Sequence, residues 1–173
     1  TFSGGEAALQ YLFVLETASL LKKSGIHIAL DTAGNISWNN LSGLLDYVDI
    51  VLYDIKAYSS QIHREGTQVF NRLILENAQK IAELGKEMII RMPIIPSIND
   101  DEKDIIERLG FIKSLGSVVK QVDILKYHNL GESKYKSLGI DYDLKNLPSI
   151  NSDKIDEIKK NAEKIGLSVT IGG

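Results

Sequence analysis

Polar side chains of the kinds that bind ligands fall where the apolar stretches of this sequence end. The stretches are short, continuous and rich in Ile and Val, which is typical of buried strands. The polar residues at or just after their ends are Glu6, Asp31, Thr32, Asp54, Lys56, Arg91, Lys126 and His128. Parallel strands of an α/β fold present their C-terminal ends at one edge, where active sites form. We therefore predict that these side chains share one site.

Each of these residues also has an ordinary structural explanation. Glu6 suits the first turn of a helix, and Asp31 suits the cap of a turn. Lys56 alone is typical of a solvated loop, and His128 alone is typical of a surface or satisfied core position. The same behaviour at five successive strand ends favours a shared site over separate explanations.

The residue types suit a ligand with an amino-acid head and a sugar-base tail. Backbone N–H groups of a Gly4-Gly5 turn can approach a ligand closely, and the Glu6 carboxylate can accept hydrogen bonds from an ammonium group. Lys56 can pair with a carboxylate or form a Schiff base, and His128 can bond a ring or a sugar. A phosphate ligand is less favoured, because the sequence contains neither a GxGxxG motif nor a GxxxxGK motif.

Three oxygen-bearing side chains suit a hard cation. Asp31, Thr32 and Asp54 supply carboxylate and hydroxyl oxygens, which are the donors that such ions prefer. Asp31 and Asp54 occupy matching positions at two neighbouring strand ends. They should lie close enough to share a cation or a water molecule, because two unbridged carboxylates would repel each other.

Strand and helix patterns alternate along the chain, which predicts a parallel sheet with helices outside it. Predicted strands cover residues 26–32, 48–56, 87–95, 119–128 and 167–173. Predicted helices cover residues 7–25, 68–85, 99–116 and 151–166, and each ends at a glycine. We expect the third helix to begin with a cap at Asn99 or Asp100, and a short helix to carry His63. The whole chain, residues 1–173, is predicted to be a single α/β domain.

Composition excludes several classes of function. The 173 residues contain no cysteine, which excludes disulfides, thiolate metal sites and a cysteine nucleophile within them. A net charge of −3 gives no electrostatic reason to expect nucleic acid or an anionic membrane as a partner. No apolar run reaches the roughly 18 residues of a membrane span. We expect a cytoplasmic protein.

Five motifs resemble those of one enzyme family, in the family's order and spacing. They are TFSGGEAALQ, LDTAGN, LYDIK, IIRMPIIPSIND and YHNLGESKYKSLG. The chain resembles the activating enzymes of glycyl radical enzymes, the pyruvate formate-lyase-activating group of the radical S-adenosylmethionine superfamily. The resemblance implies a partial, TIM-like (β/α)6 barrel that lacks its first strand, its first helix and most of its second strand. The family's CxxxCxxC loop, whose thiolates hold a 4Fe–4S cluster, would lie upstream of Thr1.

The resemblance also implies roles for individual residues. Those implied to bind S-adenosylmethionine are Gly4, Gly5, Glu6, Asp54, Lys56, Arg91 and His128. The Gly-Gly-Glu turn matches the element that binds the methionine amino group, Lys56 matches the lysine on the methionine carboxylate, and His128 matches a histidine on the nucleoside. A monovalent cation site beside that carboxylate is implied for Asp31, Thr32, Asp54 and the Leu52 carbonyl. Ala7 stands where the family usually has Pro, and both residues suit a helix start.

The implied activity is that of a longer parent enzyme. Its cluster, reduced by a donor such as flavodoxin or ferredoxin, passes one electron to S-adenosylmethionine. The resulting 5′-deoxyadenosyl radical takes a hydrogen atom from a glycine of a partner such as pyruvate formate-lyase. These residues alone would be inactive, since they carry no thiolates, and would bind S-adenosylmethionine weakly, with Glu6 frayed. The ESKYKSLG segment, expected to be a loop with a turn of helix, is implied to lie near the rim where the partner docks.

Three alternatives stay open on the sequence. The parent could be another radical S-adenosylmethionine enzyme that acts on a small molecule, although the YHNLGESKY segment disfavours this. It could be an aldolase-like barrel in which Lys56 forms a Schiff base. The chain could also be a binding piece without catalytic activity. A cysteine triad upstream of Thr1 would exclude the aldolase-like enzyme.

Overall fold

Five parallel strands form one sheet, in the order in which they follow along the chain. This is the arrangement within residues 1–128, 132–141, 144, 147–148 and 150–172, which the computed structural model describes. The strands are β1 (Ala29–Thr32), β2 (Ile50–Asp54), β3 (Glu87–Ile94), β4 (Val119–Lys126) and β5 (Val169–Gly172). The predicted α/β class, the five strands and their parallel pairing are confirmed.

Helices connect the strands, as the alternating pattern predicts. They are α1 (Tyr11–Lys23), α2 (Trp38–Leu45), α3 (Ser60–Thr67), α4 (Arg72–Glu83), α5 (Glu102–Ser114), α6 (Glu132–Ser137) and α7 (Ser152–Lys164). Short 3-10 helices, Ala7–Gln10 and Gly116–Val118, precede α1 and β4. The short helix expected to carry His63 is α3, whereas α2 was not predicted. No helix in the described part of the chain is long and apolar enough to cross a membrane.

Two predicted helices start later than expected, each for a local reason. The helix predicted over 68–85 begins at Arg72, because Gln68 has a left-handed backbone (φ +65°) and ends α3 instead. The helix predicted from Ala7 starts as a 3-10 turn and becomes α-helical at Tyr11. In both cases the apolar periodicity continues past the point where the backbone changes, so periodicity alone does not mark the boundary.

The cap of α5 is Asp101, and the prediction of Asn99 or Asp100 is wrong. The Asp101 side chain accepts a hydrogen bond from Asp104 N at 2.9 Å, as an N-cap does. Asp100 instead pairs with Lys154 at 2.6 Å, which joins this loop to α7. Asn99 is buried and bonds backbone groups at the sheet edge. Only one of three successive polar residues therefore serves the helix.

The two faces of the sheet differ, which corrects the expectation that the strands are simply buried. Every second residue of β2 and β3 lies in the core shared with the helices; Val51, Tyr53 and Ile90 are 0% exposed. The intervening side chains point to the opposite face and are only partly covered. This second face, named the open face here, carries Asp54 and Arg91.

The outer edge of β1 pairs with one residue among those described. Phe2 forms a parallel bridge with Leu30, in which Phe2 N donates to Ala29 O and Asp31 N donates to Phe2 O, both at 2.9 Å. The rest of this edge carries no described strand. An open strand edge can pair with further chain.

Candidate functional site

A chain of ion pairs crosses the open face at the C-terminal ends of β1, β2 and β3. Arg91 lies at its centre: Nε donates to Asp54 Oδ1 at 2.7 Å, Nη1 donates to Asp31 Oδ2 at 3.0 Å, and Nη2 donates to Asp31 Oδ1. Lys56 Nζ donates to Asp54 Oδ2 at 2.9 Å. Ser3 Oγ donates to Asp31 Oδ2 at 2.7 Å. The four charged residues Asp31, Arg91, Asp54 and Lys56 are named the charged ladder.

Strand register places these four side chains together. Asp54 and Arg91 are direct partners in the β2–β3 pairing, and Asp31 lies one strand further, opposite Leu52. Lys56 follows Asp54 by two residues. Partial burial by itself would lower the pKa of Arg91, but attraction and hydrogen bonds from Asp54 and Asp31 outweigh it and hold that pKa above its ordinary value. The ladder is therefore a charge-balanced unit of two acids and two bases.

Three of the oxygen donors assigned to a cation, the side chains of Asp31, Thr32 and Asp54, are bonded to other groups of the chain. Asp31 and Asp54 do lie close together, as predicted, but the group between them is the Arg91 guanidinium. Thr32 is buried, and its Oγ1 donates to Glu6. The monovalent cation thus has no support from this arrangement and stays a prediction. In the described residues, no group of three or more His, Asp or Glu side chains could hold a metal ion.

Glu6 is fixed at the end of β1, so the prediction that it is frayed is wrong. Its Oε1 accepts from Thr32 Oγ1 at 2.7 Å, and its Oε2 accepts from Ala33 N at 2.9 Å. Oε1 also accepts from Ala8 N at 3.3 Å, which caps the 3-10 helix. Glu6 is thus the N-cap of the 3-10 helix and not an acid of a first helical turn, as its structural explanation expected, and its contact with a ligand stays a prediction.

Gly4 and Gly5 precede Glu6 in a turn that suits glycine. Both have left-handed backbones, with φ of +92° and +55°, which other residues rarely adopt. Both are exposed, and no atom lies within 4 Å of the position that a Cβ would occupy on either. The turn therefore presents bare backbone to solvent beside a fixed carboxylate, as a close ligand contact would require.

A cavity of about 150 Å³ lies beside Lys56, between α3 and the loop after β3. Its apolar lining residues are Ala57, Ile62, Pro93, Ile95 and Ile98. His63 also lines it, and His63 Nδ1 lies 2.8 Å from Val69 O. Desolvation lowers the pKa of His63 below its ordinary value; the charges of Lys56 and Arg108 act in the same direction, against Val69 O and Asp104. The space next to Lys56 suits an apolar group.

His128 follows β4 at the same sheet edge but is not joined to the charged ladder. Its side chain is exposed, and it makes no hydrogen bond to any residue that the structure describes. Lys126, the last residue of β4, is partly buried. Residues 129–131 of the following motif lie outside the described residues, while α6 supplies the expected turn of helix. The contact of His128 with a nucleoside stays a prediction.

Two groups of polar residues at this edge were missed by the sequence reasoning. On the open face, Gln121 Nε2 and Thr170 Oγ1 both donate to Asp123 Oδ1 at 2.5 Å. Behind the edge lies a buried polar group made of Asn71, Asn99, Asp104 and Arg108. Asn99 of this group lies at the polar end of the motif IIRMPIIPSIND. From the sequence alone, that polar end is explained by the start of a helix.

Comparisons with known proteins give several activating enzymes as relatives. A pyruvate formate-lyase-activating enzyme of Clostridium pasteurianum is 33% identical over 165 residues, which cover 95% of this chain and 68% of that protein. A trans-4-hydroxy-L-proline dehydratase activating enzyme of Clostridioides difficile is 35% identical over 176 residues, covering 100% and 58%. A crystallised domain of pyruvate-formate lyase-activating enzyme from Bacteroides vulgatus superposes with a TM-score of 0.83 at 27% identity, over 99% of this chain and 97% of that one.

The chain spans between about half and two thirds of the length of the curated relatives it matches. A scan against protein-family models found no match.

Proposed function

Because the chain belongs to the activating enzymes of glycyl radical enzymes, we propose that it forms the part of such an enzyme that positions S-adenosylmethionine and receives the glycine loop of a partner. The observation that carries the proposal is the charged ladder, which holds Lys56 just after β2 with N–H donors that no described residue uses. The fold proposed for the whole enzyme is an open (β/α)6 barrel, whose sheet would continue at the outer edge of β1.

Lys56 is suited to bind the methionine carboxylate. An ammonium group has three N–H donors, and the described residues use one of them, on Asp54. The side chain keeps 34% of its surface exposed, so the other donors can reach a ligand. Arg91 instead directs Nε, Nη1 and Nη2 at Asp31 and Asp54. We therefore assign Arg91 the task of holding the ladder together, in place of the ligand contact implied by the resemblance.

Glu6 is suited to bind the methionine amino group. A carboxylate offers about four acceptor positions, and groups of the chain itself take three of them. The remaining position can accept a bond from an ammonium group, while the exposed backbone of Gly4 and Gly5 allows close approach. His128 is retained in the proposal as the contact for the nucleoside, because it follows β4 at the same edge.

The cofactors enter the proposal through the residues that would hold them. When bound, S-adenosylmethionine and a 4Fe–4S cluster supply the one-electron chemistry that removes a hydrogen atom from a glycine. The 173 residues contain no cysteine, so they supply no thiolates for the cluster. We place those ligands, and the docking of an electron donor such as flavodoxin or ferredoxin, in the remainder of a longer protein. A monovalent cation is left out, because Arg91 bridges the carboxylates assigned to it.

The proposed partner is a glycyl radical enzyme. Two of the matching relatives are named for the activation of pyruvate formate-lyase and of trans-4-hydroxy-L-proline dehydratase, so both enzymes are candidate partners for this chain. The partner's loop would enter over the open face, next to the charged ladder. The cavity of about 150 Å³ beside Lys56 provides apolar room there.

The test uses the complete protein encoded by the gene, reconstituted with iron and sulfide without oxygen. With dithionite, S-adenosylmethionine and either candidate partner, we expect 5′-deoxyadenosine and the electron paramagnetic resonance signal of a glycyl radical. Lys56→Ala should weaken S-adenosylmethionine binding about tenfold or more, because a hydrogen bond to a charged group contributes roughly 1.5–3 kcal/mol. Lys160→Ala, which removes an exposed lysine of α7, is the matched control and should bind like wild type. Failure of the complete protein to form either product would overturn the proposal.

The alternatives give different results in the same experiment. Cleavage of S-adenosylmethionine without a radical on any partner would indicate a small-molecule substrate. Borohydride trapping of pyruvate on Lys56 would indicate aldolase-like chemistry, which the ion pair with Asp54 disfavours because a Schiff base needs the free amine. The 173 residues alone should form no 5′-deoxyadenosine, since they lack thiolates.

A further inference from the structure

Residues 56–59, which follow β2 and begin with Lys56, are held by side chains from distant parts of the chain. Five backbone groups of residues 56–59, named the lysine segment, bond to only three side chains. Asn99 Nδ2 donates to Lys56 O at 2.7 Å. Asn71 Nδ2 donates to the next two carbonyls, at 3.0 and 2.8 Å. Asp104 Oδ1 accepts from the last two N–H groups of the segment, at 2.9 and 2.6 Å.

The sheet itself stops supporting the backbone just before this segment. Ile55 N donates to Arg91 O at 3.0 Å, which is the last bond of the β2–β3 ladder. The next bond of a parallel ladder would come from the N–H of Pro93, and proline has none. If the ladder continued, Ala57 would pair with Pro93 O and Ile95 N, and Asn99 bonds both of these groups instead. Asn99 therefore takes over where the strand pairing ends.

Asn99 is itself held in place from several sides. It is 4% exposed; its Oδ1 accepts from Ile95 N at 2.7 Å, and its Nδ2 also donates to Pro93 O at 2.8 Å. Arg108 Nη2 donates to Asn99 O at 2.7 Å and pairs with Asp104. One buried network thus joins the end of β3, the start of α5 and the lysine segment.

We propose that Asn99 is a positioning residue for Lys56, and that Asn71 and Asp104 hold the same segment. Lys56 has a flexible four-carbon stem, so its ammonium group can be delivered to one place only if its backbone is fixed. Asn99 fixes the Lys56 carbonyl, and the side chain then reaches Asp54 and the open face. The inference depends on the proposed function for the ligand that Lys56 binds; the positioning itself does not.

The test compares Asn99→Ala with Asn77→Ala in the 173-residue chain. Asn77 is a matched control, because it is 0% exposed and its Nδ2 also donates to two backbone carbonyls, Gly34 O at 2.8 Å and Ile36 O at 2.9 Å. Both variants lose two buried bonds from Nδ2 to backbone carbonyls; Asn99→Ala also loses the bond from Ile95 N, whereas Asn77 Oδ1 has no partner among the described residues, so Asn99→Ala should lose more stability. Only Asn99→Ala should release the lysine segment.

Two nuclear magnetic resonance measurements read the segment directly. Amide hydrogen exchange of Tyr58 and Ser59 should accelerate about fivefold to tenfold in Asn99→Ala, because the segment loses a restraint worth about one hydrogen bond. In Asn77→Ala the exchange should stay at the wild-type rate. In lysine-labelled protein, the two Hε shifts of Lys56, assigned with Lys56→Arg, should differ in wild type and merge in Asn99→Ala. Equal behaviour of the two Asn variants in both measurements would overturn the proposal.

A second variant covers the case in which Asn99→Ala does not fold. Asn71→Ala frees two carbonyls of the segment and should accelerate exchange of the same amides. If neither variant folds, the amide exchange rates of Tyr58 and Ser59 in the wild-type chain test the proposal. Protection supports the network, and free exchange overturns it.

The complete enzyme adds a kinetic test that separates this inference from the proposed function. Asn99→Ala should raise KM for S-adenosylmethionine about tenfold with a smaller change in kcat. A Lys56 that moves in the spectra while the wild-type enzyme forms no 5′-deoxyadenosine would sink the proposed function and leave the positioning intact. A mobile segment with an unchanged KM would show that Asn99 does not position Lys56 for this ligand.

Discussion

The chain leaves β2 and β4 in two different ways, although both exits lie at the same sheet edge. At the β2 exit (residues 55–59), buried side chains hold the backbone and Lys56 pairs with Asp54. At the β4 exit, Tyr127 N donates to Ile94 O at 3.1 Å, and the next residue, His128, is exposed and bonds no described residue. The β2 exit is held by buried side chains, whereas in the described part of the β4 exit Tyr127 bonds through its N and its OH and His128 is exposed.

The difference separates two ways of preparing a binding site. A charge fixed before the ligand arrives loses little freedom on binding, so it contributes more to affinity. In the proposed function, the β2 exit would provide such a charge for the methionine carboxylate, and it does so by burying polar groups that all need partners. At the β4 exit no described residue bonds His128, so its proposed contribution would depend on contacts made only in the complex. Changes at the β2 exit should therefore disturb the fold and the site together, while changes at the β4 exit should disturb the site alone.

The largest effect should come from the buried ion pair behind the β2 exit. Asp104 is 1% exposed and Arg108 is 0% exposed, and Arg108 Nη1 has no partner among the described residues. Burial lowers the pKa of Arg108, and Asp104 opposes that shift. Asp104→Ala would leave a buried charge unpaired, so the free energy of unfolding should fall by about 3–5 kcal/mol.

Urea denaturation followed by circular dichroism measures this loss. Asp156→Ala, on the exposed face of α7, is the control and should change the free energy of unfolding by no more than about 0.5 kcal/mol. A similar small change for Asp104→Ala would mean that the β2 exit is no more firmly built than the surface.

The next effect should come from the centre of the charged ladder. Arg91→Met leaves Asp31 and Asp54 facing each other without the guanidinium that joins them. Because all three side chains keep about a fifth of their surface exposed, the loss should be moderate, about 1–3 kcal/mol. Arg72→Met, at an 86% exposed side chain, is the control.

Salt provides the check on this mechanism. Carboxylate repulsion is screened at about 1 M salt, so part of the stability lost in Arg91→Met should return there. A loss that does not depend on salt would indicate lost packing of the arginine stem, and the ladder would not be an electrostatic unit.

The positions of the strands and of the site could be predicted from the sequence, because short stretches of the chain determine where each strand begins and ends. The Ile- and Val-rich stretches before Asp31 and Asp54 are strands, and parallel pairing brings their ends to one edge. Lys56 and Arg91 were predicted there on the same argument, and the structure brings both into the charged ladder.

The bonding partners at that edge depend on contacts that no local pattern encodes. Asp104 lies 45 and 46 residues from the two amides whose hydrogen bonds it accepts. Its neighbours in the sequence indicate only the start of a helix. Arg91 and Asp31 are 60 residues apart, and the register that lets a guanidinium take the place assigned to a cation exists only in the folded sheet. Pro93 is a local signal for the end of the β2–β3 pairing, because a proline within a predicted strand cannot donate a hydrogen bond to its neighbour.

A smaller effect should appear at acidic pH through His63, which packs behind the β2 exit. Its pKa is lowered in the folded chain, chiefly by desolvation, so the unfolded chain binds more protons once the pH falls below about 6.5. Its contribution to stability is therefore complete above that pH and is lost as the pH falls toward the folded pKa. His63→Asn can keep a donor to Val69 O and should lose less stability than wild type between about pH 7.5 and about pH 5.5.

The control for this prediction is His27→Asn, at an exposed histidine. It should leave intact the part of the pH dependence of the free energy of unfolding that His63 contributes, because the charge of His27 acts on Asp49. If His63→Asn and His27→Asn show the same dependence as wild type, the acid sensitivity of the chain arises elsewhere.

The smallest effect on the fold should come from His128, and this makes the comparison of the two exits sharpest. His128→Ala removes an exposed side chain that bonds no described residue, so the free energy of unfolding should change by no more than about 0.5 kcal/mol. The amide exchange of Tyr58 and Ser59 should stay at the wild-type rate, because the β2 exit does not depend on β4. In the complete enzyme the same variant should still weaken S-adenosylmethionine binding, since the proposed nucleoside contact is lost. A stability loss as large as that of Arg91→Met would show that the β4 exit is also part of the core, and unchanged binding would remove His128 from the proposed site.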